Sequence, residues 1–460
     1  MTFVDTRRLM AEERRDGTPD VGDPFTEDAL ALRFTEQHQH ELRYVATQST
    51  WYKWDGARWK PEKTLLAFNL ARECCRSAAK EYGNGKPPAG ITTAKTISAI
   101  EKLAKADRRF AASNDVWDAD PWLLNTPAGM VDLHTGELLR HDPAKLMTKI
   151  TAVAPDRECK TPVWNAFLER IMDGDAELIA YLQRVAGYSL TGSTREEQMW
   201  FCYGTGQNGK SKFIEAISGC MGDYHTSAPE EIFTITRNDQ HPTGVASLQG
   251  ARLVTGTEVE QGRAWNETKI KKLTGGDEVP ARFMRQDYFR YRPTYKIMLS
   301  GNHKPGLRHV DIAIRRRLNL VPFAVMIPPK ERDDLLPEKL NAEWPGILAW
   351  MIEGCVEWQR IGLAPPKAVA DATVEYFAAE DAIGNWIEDE LDRDKDAFET
   401  TTDLFVAWSN YAKANGEPAG GVKSFRETLL TGRGLTPDRT KFGRGFRGAR
   451  LKSRYGGGAT

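Results

Sequence analysis

The chain has 460 residues, with 63 Lys and Arg against 64 Asp and Glu and a formal net charge of −1, so no overall positive field attracts nucleic acid and any basic site must be local. This length predicts about two or three domains, and the composition is that of an ordinary globular protein. Six cysteines without C-x-x-C spacing argue against a zinc site and predict reduced thiols in a cytoplasmic protein. No apolar run is long enough to cross a bilayer, so no membrane partner is expected.

The first 196 residues predict a leader followed by mixed and then helical structure. Residues 1–27 are charged and rich in Pro and Gly, which predicts a mobile leader, whereas 28–160 predict an α+β region and 161–196 a helical segment. Asp55-Gly56, between Trp54 and Trp59, indicates a hairpin, and a second hairpin is predicted to turn near 134–136. The tryptophans of the first hairpin either form a small core or stack on single-stranded DNA. Helices are predicted at LARECCRSAAKEY and TISAIEKLAKADRRFA.

The stretch FCYGTGQNGKSKFIE contains G-x-x-x-x-G-K-[ST], between a predicted strand and a predicted helix. Its glycines allow backbone N–H groups to turn around a phosphate, Lys210 can reach the β- and γ-phosphates, and the Ser211 hydroxyl can bind Mg²⁺. The alternative is a glycine-rich surface turn. The predicted nucleotide contacts are Gly204, Thr205, Gly206, Gln207, Asn208, Gly209, Lys210, Ser211 and Lys212.

Residues 197–325 are predicted to form a core that alternates strand and helix, as a parallel α/β domain does. Within this core, polar residues follow two apolar runs. Glu258 and Glu260 follow Leu253-Val254, where carboxylates suit Mg²⁺ binding and polarisation of an attacking water. The E-x-E spacing leaves open which of the two serves the metal, and both can also be solvated glutamates. Asn302 follows the run IML and is predicted to orient the water or touch the γ-phosphate, unless it only forms a turn.

Basic clusters follow in the same core. Arg315, Arg316 and Arg317 are adjacent, and one of them can act as an arginine finger from a neighbouring subunit, or all three form a solvated turn. A finger would require an oligomer. Alternation of basic and aromatic residues predicts a DNA-binding hairpin whose aromatics Tyr288, Phe289 and Tyr291 either stack on bases or belong to the core. The predicted phosphate contacts here are Lys271, Lys272, Arg282, Arg285, Arg290 and Arg292.

The remaining 135 residues predict two further domains, a helical lid over 326–370 and a small winged-helix-like DNA-binding domain over 371–460. Basic residues dominate the end of the chain, where the helix KSFRETLL precedes a predicted wing, RTKFGRGFRGARL. Such a local excess on a neutral protein indicates a surface for the phosphate backbone, and the alternative is a solvated tail. The predicted DNA contacts in the wing are Lys441, Arg444 and Arg447.

These motifs, in this order, resemble superfamily 3 helicases, a branch of the AAA+ ATPases. Within them, the sequence is similar to the phage/plasmid primase–helicase family related to poxvirus nucleoside-triphosphatases. The resemblance covers about residues 40–450 and rests on WDGARW, GMVDLHTGEL, FCYGTGQNGKSKF, EVEQGRAWNETKIKKLTGGDEVPAR, GNHKP and AIRRRLNLVPF. It implies an AAA+ P-loop core preceded by an α+β helicase-associated region with a helical collar. It also implies a ring, usually a hexamer, that hydrolyses ATP with Mg²⁺ and unwinds DNA, typically moving 3′ to 5′.

The resemblance also assigns roles to individual residues. Lys210 and Ser211 match the phosphate and Mg²⁺ ligands, and Asn302 matches the sensor. The second acidic motif falls on Glu258 and Glu260. The paired arginines are Arg316 and Arg317, which leaves Arg315 as the weakest finger candidate.

One departure concerns priming. Many relatives carry a polymerase-type primase domain, but here only about 30 residues precede the shared region, so we expect no primase activity and a separate primase or loader. The resulting hypothesis is an ATP-dependent helicase of a phage, plasmid or integrated element, acting on single-stranded or forked DNA. The alternatives are an AAA+ initiator that melts or loads at an origin, a P-loop small-molecule kinase, and a non-catalytic DNA-binding scaffold.

Overall fold

The computed structural model describes residues 24–82, 90–236, 243–256, 262–285, 287–307, 310–416, 419–430, 433 and 435–452. The chain divides into two compact units, which we call the N-terminal unit (1–120 and 140–149) and the main unit (121–139 and 150–460). The region predicted over 28–160 is therefore split between them. The reason is packing: Leu124, Val131 and Leu133 are buried in the core of the main unit.

The N-terminal unit packs three helices against a three-stranded antiparallel sheet, in the order β1-β2-β3. The helices are α1 (Glu27–His38), α2 (Leu66–Glu81) and α3 (Ala94–Ala104), and the strands are β1 (Leu42–Val45), β2 (Thr50–Trp54) and β3 (Trp59–Pro61). The predicted first hairpin is confirmed, because Asp55 accepts from the N–H groups of Ala57 and Arg58 at the turn. Trp51 and Trp59 are buried. Of the two alternatives for these side chains, the small core is therefore the correct one.

The main unit begins with an antiparallel sheet, β4-β5-β6, and two helices. Its first elements are β4 (Leu123–Thr126), β5 (Gly129–Asp132), β6 (Glu137–Leu139), α4 (Pro162–Ile171) and α5 (Ala176–Ser189). Gly136, with φ +76°, forms the predicted second hairpin turn. The Asp175 side chain accepts from Leu178 N and starts α5.

A five-stranded parallel sheet forms the centre of the main unit, as the alternating pattern predicts. Its elements are β7 (Met199–Tyr203), α6 (Lys210–Met221), β8 (His225–Ser227), α7 (Thr243–Ala246), β9 (Leu253–Gly256), α8 (Glu267–Thr274), β10 (Val279–Ala281), β11 (Phe289–Tyr291), β12 (Lys296–Gly301), α9 (Ile312–Arg315) and β13 (Leu318–Pro322). The strand order is β13-β7-β12-β9-β8, while β10 and β11 form a separate antiparallel hairpin. The carboxyl ends of β7, β12 and β9 therefore lie side by side, along what we call the carboxyl edge of the sheet.

Helices from the second half of the main unit cover the sheet, and a small domain follows. The elements are α10 (Leu336–Ala342), α11 (Trp344–Ile361), α12 (Lys367–Ala379), α13 (Ala382–Glu390), β14 (Leu391–Thr400), α14 (Thr401–Ala414), α15 (Val422–Leu429), β15 (Thr436–Thr440) and β16 (Gly443–Leu451). The last three strands pair in the order β14-β16-β15. A helix, a strand, two helices and a two-stranded wing follow one another, which is the winged-helix arrangement predicted for this end. None of the described helices combines the length and the hydropathy needed to span a bilayer.

Side chains of the parallel strands alternate between two cores. Trp200, Cys202 and Met298 pack with α6 in one core, and Phe201, Leu299 and the residues of α12 pack in the other. Because successive strand residues point to opposite faces, α6 and α12 lie on opposite faces of the sheet.

Candidate active site and nucleic-acid interface

The loop between β7 and α6 has the geometry of a phosphate-binding loop. Gly206 and Gly209 have positive φ, +93° and +81°, and Gln207 has +54°. A Cβ on Gly204 would lie 2.3 Å from Phe323 O, and one on Gly209 would lie 2.5 Å from Ile171 Cγ2, so the close packing excludes side chains at both positions. Helix α6 starts directly after Gly209, and the N–H groups in the first turn of a helix are a favourable site for an anion. The predicted strand–loop–helix setting is confirmed.

Residues beyond β13 hold this loop in place. Asn208 Nδ2 donates to Phe323 O (3.0 Å), and Ile327 N donates to Gln207 O (2.9 Å). The Arg332 guanidinium also donates to Gln207 Oε1. Asn208 is buried, so this predicted nucleotide contact acts as a brace for the loop. Arg332 was not among the predicted residues, since nothing in the local sequence PPKERDD distinguishes it from a solvated charge.

Three other predicted contacts differ in exposure. Thr205 and Ser211 are exposed at the loop and at the first turn of α6. Lys212 Nζ pairs with Glu215 at 2.8 Å on the helix surface. Ser211 is thus open to a ligand, whereas the Lys212 ammonium is directed to its own helix.

Lys210 and Asn302 meet at the carboxyl edge of the sheet. Lys210 Nζ lies 3.0 Å from Gly204 O and 3.1 Å from Asn302 Oδ1. The pairing of Gly301 with Tyr203 in adjacent strands carries both residues to this edge. Burial lowers the pKa of the Lys210 ammonium, which is the expected effect of partly removing a cation from water. A phosphate at the loop would supply the missing negative charge.

The acidic part of the site is predicted to follow strand β9. Glu258 and Glu260 lie outside them, although β9 ends at Gly256, opposite Leu299 of β12 and hence at the same edge. Among the residues that the structure describes, no group of three or more His, Cys, Asp or Glu is arranged to hold a metal. The exposed Ser211 hydroxyl and the glycine cradle fit a phosphate-bound Mg²⁺. The carboxylate ligands remain predictions.

The three arginines occupy different environments at the amino ends of the strands, opposite the carboxyl edge of the sheet. Met199 N, at the start of β7, donates to Arg317 O (2.7 Å). Because β7 rises about 3.3 Å per residue, the arginines lie about 16 Å from the phosphate-binding loop of the same chain, which follows the other end of this strand. Arg317 is buried, donates to Thr274 Oγ1 (3.1 Å) and Ala313 O (2.9 Å), and pairs with Glu197 (2.6 Å). Its guanidinium is therefore a structural group, and this placement opposes the predicted catalytic role.

Arg316 and Arg315 are more accessible. The Arg316 side chain is 59% exposed and pairs with the same Glu197 at 2.6 Å. Arg315 lies 3.5 Å from Asp381 and over the Phe377 ring. Of the two predicted finger residues, Arg316 is thus the one whose guanidinium is accessible.

The predicted basic hairpin forms from β10 and β11, with Val279 opposite Tyr291. Its tip exposes Met284 and Tyr288, and the Arg282 guanidinium lies 4.8 Å from the Tyr288 ring centre. Tyr291 is buried and donates to Val245 O (2.7 Å), so it belongs to the core and cannot stack on a base.

The basic residues around this hairpin also divide by environment. Arg285 and Arg290 are exposed, while Arg292 lies 4.0 Å from Glu278. Lys272 is exposed, whereas Lys271 pairs with Asp311. Arg285, Arg290, Lys272 and Arg292, whose side chain is 77% exposed, are thus the accessible cations of the group.

The winged-helix domain carries a second basic surface. Lys441 and Arg444 are exposed at the turn of the wing, beside the 73% exposed Phe442. Arg447 pairs with Asp438 and donates to Asp396 O, so its charge is partly neutralised. Exposed Lys423 and Arg426 lie on α15, within the basic end of the chain that the sequence predicts as a surface for the phosphate backbone.

Comparison with known proteins gives two family matches. Residues 31–173 match the family described as D5 N terminal like, and residues 202–317 match a family of unknown function (DUF5906). The second range includes the phosphate-binding loop, Asn302 and the three arginines.

Viral proteins are among the curated relatives. L207/L206 of Acanthamoeba polyphaga mimivirus, named as a candidate helicase, is 26% identical over 299 residues, 60% of this chain and 31% of that protein. The similarly named 022R of Frog virus 3 (isolate Goorha) is 26% identical over 286 residues, 54% of this chain and 28% of that protein. The match therefore takes in less than a third of either viral protein. A solved structure of the NrS-1 C-terminal region has a TM-score of 0.48 at 10% identity, covering 92% of this chain and 100% of that one.

The D5-type match lies directly before a core in which a glycine-constrained loop, Lys210 and Asn302 meet at the edge of a parallel sheet. Together, the family matches and the viral relatives support a superfamily 3 helicase of the D5-like, phage/plasmid primase–helicase type.

Proposed function

We propose that this chain is an ATP-dependent DNA helicase that acts as a homo-oligomeric ring, a hexamer by resemblance, in the replication of a viral or other mobile element. The observation that carries the proposal is the contact between Lys210 and Asn302, 3.1 Å apart beside a loop in which close packing excludes side chains from Gly204 and Gly209. A cation, an amide and the N–H groups of a helix start around one space suit phosphoryl transfer from a nucleotide.

Each group has a distinct part in hydrolysis. The first N–H groups of α6 bind phosphate oxygens, and Lys210 offsets the charge that develops on them. The Asn302 amide orients the attacking water toward the γ-phosphate. When bound, Mg²⁺ supplies charge neutralisation between the phosphates, and Ser211 with Glu258 or Glu260 would hold it.

The position of Arg316 supports a site shared between subunits. It lies at the sheet edge opposite the loop of its own chain, so any contact with transferring phosphate comes from a neighbour. An arginine finger is worth about 10³- to 10⁵-fold in rate where it has been measured. Hydrolysis then depends on ring assembly.

The basic surfaces support DNA as the partner. Arg285 and Arg290 are exposed on the β10–β11 hairpin, one helix away from the loop that ends β9. Cations on a hairpin contact phosphates without reading bases, which suits a protein that moves along DNA of any sequence. Movement of this hairpin during hydrolysis would draw one strand through the ring.

ATP turnover with and without single-stranded DNA tests the enzymatic part. We expect hydrolysis that requires Mg²⁺ and rises several-fold with DNA. The Lys210→Ala variant is the matched blank for contaminating ATPases. Equal turnover by the wild type and this variant would contradict the proposal.

The winged-helix arrangement favours one alternative, an AAA+ initiator or remodelling ATPase that melts or loads at an origin. Lys423 and Arg426 on α15 and Lys441 on the wing offer a surface for duplex DNA. An initiator would hydrolyse ATP in response to duplex DNA and lose this response with Lys423→Ala/Arg426→Ala. A helicase would respond to single strands and keep that response in the same variant.

A further inference from the structure

The loop that follows Asn302 is held by α12, on the face of the sheet opposite α6. The Tyr376 hydroxyl donates to Pro305 O, and Leu307 N donates to Glu380 Oε2 at 2.7 Å. Tyr376 is buried on α12, and Glu380 caps the end of the same helix. Two side chains of one helix thus fix the backbone three and five residues after Asn302.

A second segment holds the same loop from the side of β9. Trp265 N donates to Gly306 O and Gly306 N donates to Arg263 O, each at 2.9 Å. The Trp265 indole N–H donates to the Tyr376 hydroxyl at 3.0 Å. The Tyr376 hydroxyl therefore joins α12, the segment before α8 and the loop after Asn302 at one buried point.

The loop needs this support because Asn302 itself is exposed at the edge of the sheet. Its amide is useful only while Oδ1 stays within hydrogen-bond distance of Lys210 and of a water at the nucleotide. A displacement of about 1 Å in such a group can reduce a rate about 10²-fold. Contacts that fix residues 305–307 therefore bear on the chemistry without touching it.

We propose that Tyr376 and Glu380 are positioning residues, which hold Asn302 against Lys210 and so set the rate of ATP hydrolysis but not the affinity for ATP. The inference rests on the proposed function, since it assumes that the chain hydrolyses ATP at Lys210. Neither side chain contacts the phosphate-binding loop among the described hydrogen bonds. Their effect is transmitted through the backbone of the loop.

Two substitutions test the proposal. Tyr376→Phe removes one hydroxyl and keeps the ring in the core. Glu380→Ala removes the acceptor for Leu307 N, whereas Glu380→Gln keeps a carbonyl oxygen that can accept the same bond. We expect kcat for ATP to fall about tenfold in Tyr376→Phe and Glu380→Ala, with KM within about twofold, and to recover in Glu380→Gln.

Thr373→Val is the matched control on the same helix. The Thr373 hydroxyl accepts from Leu320 N at 3.0 Å and donates to Val369 O at 2.7 Å, so it ties α12 to β13 and not to the loop after Asn302. Its loss should lower the melting temperature and leave kcat unchanged. A merely structural role of Tyr376 would make its variant behave like this control.

The outcomes separate this inference from the function on which it rests. If the wild type hydrolyses ATP, Lys210→Ala does not, and Tyr376→Phe and Glu380→Ala retain wild-type kcat, the positioning role is wrong and the active site stands. The positioning role is also wrong if kcat falls in these variants and in Thr373→Val alike, and only in proportion to the loss of folded protein. If the wild type hydrolyses no nucleotide, both proposals fail.

Discussion

Lys210 Nζ lies 3.1 Å from Asn302 Oδ1, although the two residues are 92 positions apart in the chain. The contact forms because β7 and β12 are neighbours in a parallel sheet and end at the same level. The carboxyl ends of such strands are where open α/β sheets bind ligands. The pair therefore marks the reacting end of the proposed nucleotide site.

Lys210→Ala should reduce ATP hydrolysis by at least about 10²-fold, because the ammonium offsets charge on the transferring phosphoryl group. DNA affinity should stay within about twofold, since the basic hairpin is a separate element. The measurement is steady-state phosphate release, with DNA affinity by fluorescence anisotropy. Lys367→Ala, which removes an exposed lysine paired with Asp371 on α12, controls for loss of charge. Retained turnover in Lys210→Ala would contradict the assignment.

The neighbouring arginines Arg316 and Arg317 should respond differently to alanine. Arg317→Ala removes a buried guanidinium that donates to Thr274 and pairs with Glu197, and its loss should destabilise the fold by about 1–3 kcal/mol. Arg316→Ala removes an exposed guanidinium and should leave the melting temperature nearly unchanged while reducing hydrolysis by about 10³-fold. Thermal unfolding and phosphate release on the same samples separate the two effects.

Mixing Arg316→Ala with Lys210→Ala tests whether the site is shared. A mixed ring contains interfaces with an intact loop from one subunit and an intact finger from its neighbour. Partial recovery of hydrolysis is expected at intermediate ratios, once the subunits exchange. If no hydrolysis is recovered at any mixing ratio, and labelled subunits verify that exchange occurs, the result would argue against a finger at Arg316.

Alanine at Arg285 and Arg290 should weaken binding to all single strands to a similar degree. Each lost phosphate contact should reduce the slope of log K against log salt by about 0.7. Arg360→Ala on α11, which removes an exposed arginine paired with Glu357, should leave the slope unchanged. Titrations at several salt concentrations measure it, and an unaltered slope in the double variant would place the DNA elsewhere.

Acidification should destabilise the main unit through His225. Burial lowers the pKa of this imidazole below its ordinary value of 6.5, and its Nε2 lies 2.8 Å from Thr255 Oγ1. The unfolded chain therefore binds more protons below about pH 6.5, so stability is lost as the pH falls through that value toward the folded pKa. Melting temperatures between about pH 7.5 and pH 5.5 should fall less in His225→Gln. An equal fall in both proteins would exclude this origin.

Local signals predicted the elements that carry short-range patterns. The loop over 204–211 and the turn at Asp55-Gly56 depend on residues that are adjacent in the chain, so their conformation follows from local glycine and turn chemistry. The winged-helix order and the parallel core follow from periodicity and element order. Sequence reasoning also placed Asn302 beside the loop, because strand ends in a parallel sheet share an edge.

Other features depend on contacts across the fold. Three adjacent arginines look equivalent in the sequence, but Arg317 is buried because Thr274 and Glu197, far away in the chain, provide its partners. Tyr291 alternates with basic residues in the sequence, as a residue that stacks on bases would. Its hydroxyl nevertheless donates a hydrogen bond to Val245 O inside the core. Arg332 contacts the Gln207 side chain, while Tyr376 and Glu380 contact the backbone of the loop after Asn302. A sequence pattern carries no signal for such contacts between distant segments.

Single-turnover strand separation of a forked DNA duplex with ATP and Mg²⁺, together with the mass of the particle on DNA, tests the central claim most directly. The account predicts that the wild type separates the strands as a hexamer-sized particle and that Lys210→Ala does not. ATP hydrolysis stimulated by DNA, without strand separation by the assembled ring, would contradict the helicase and favour the initiator.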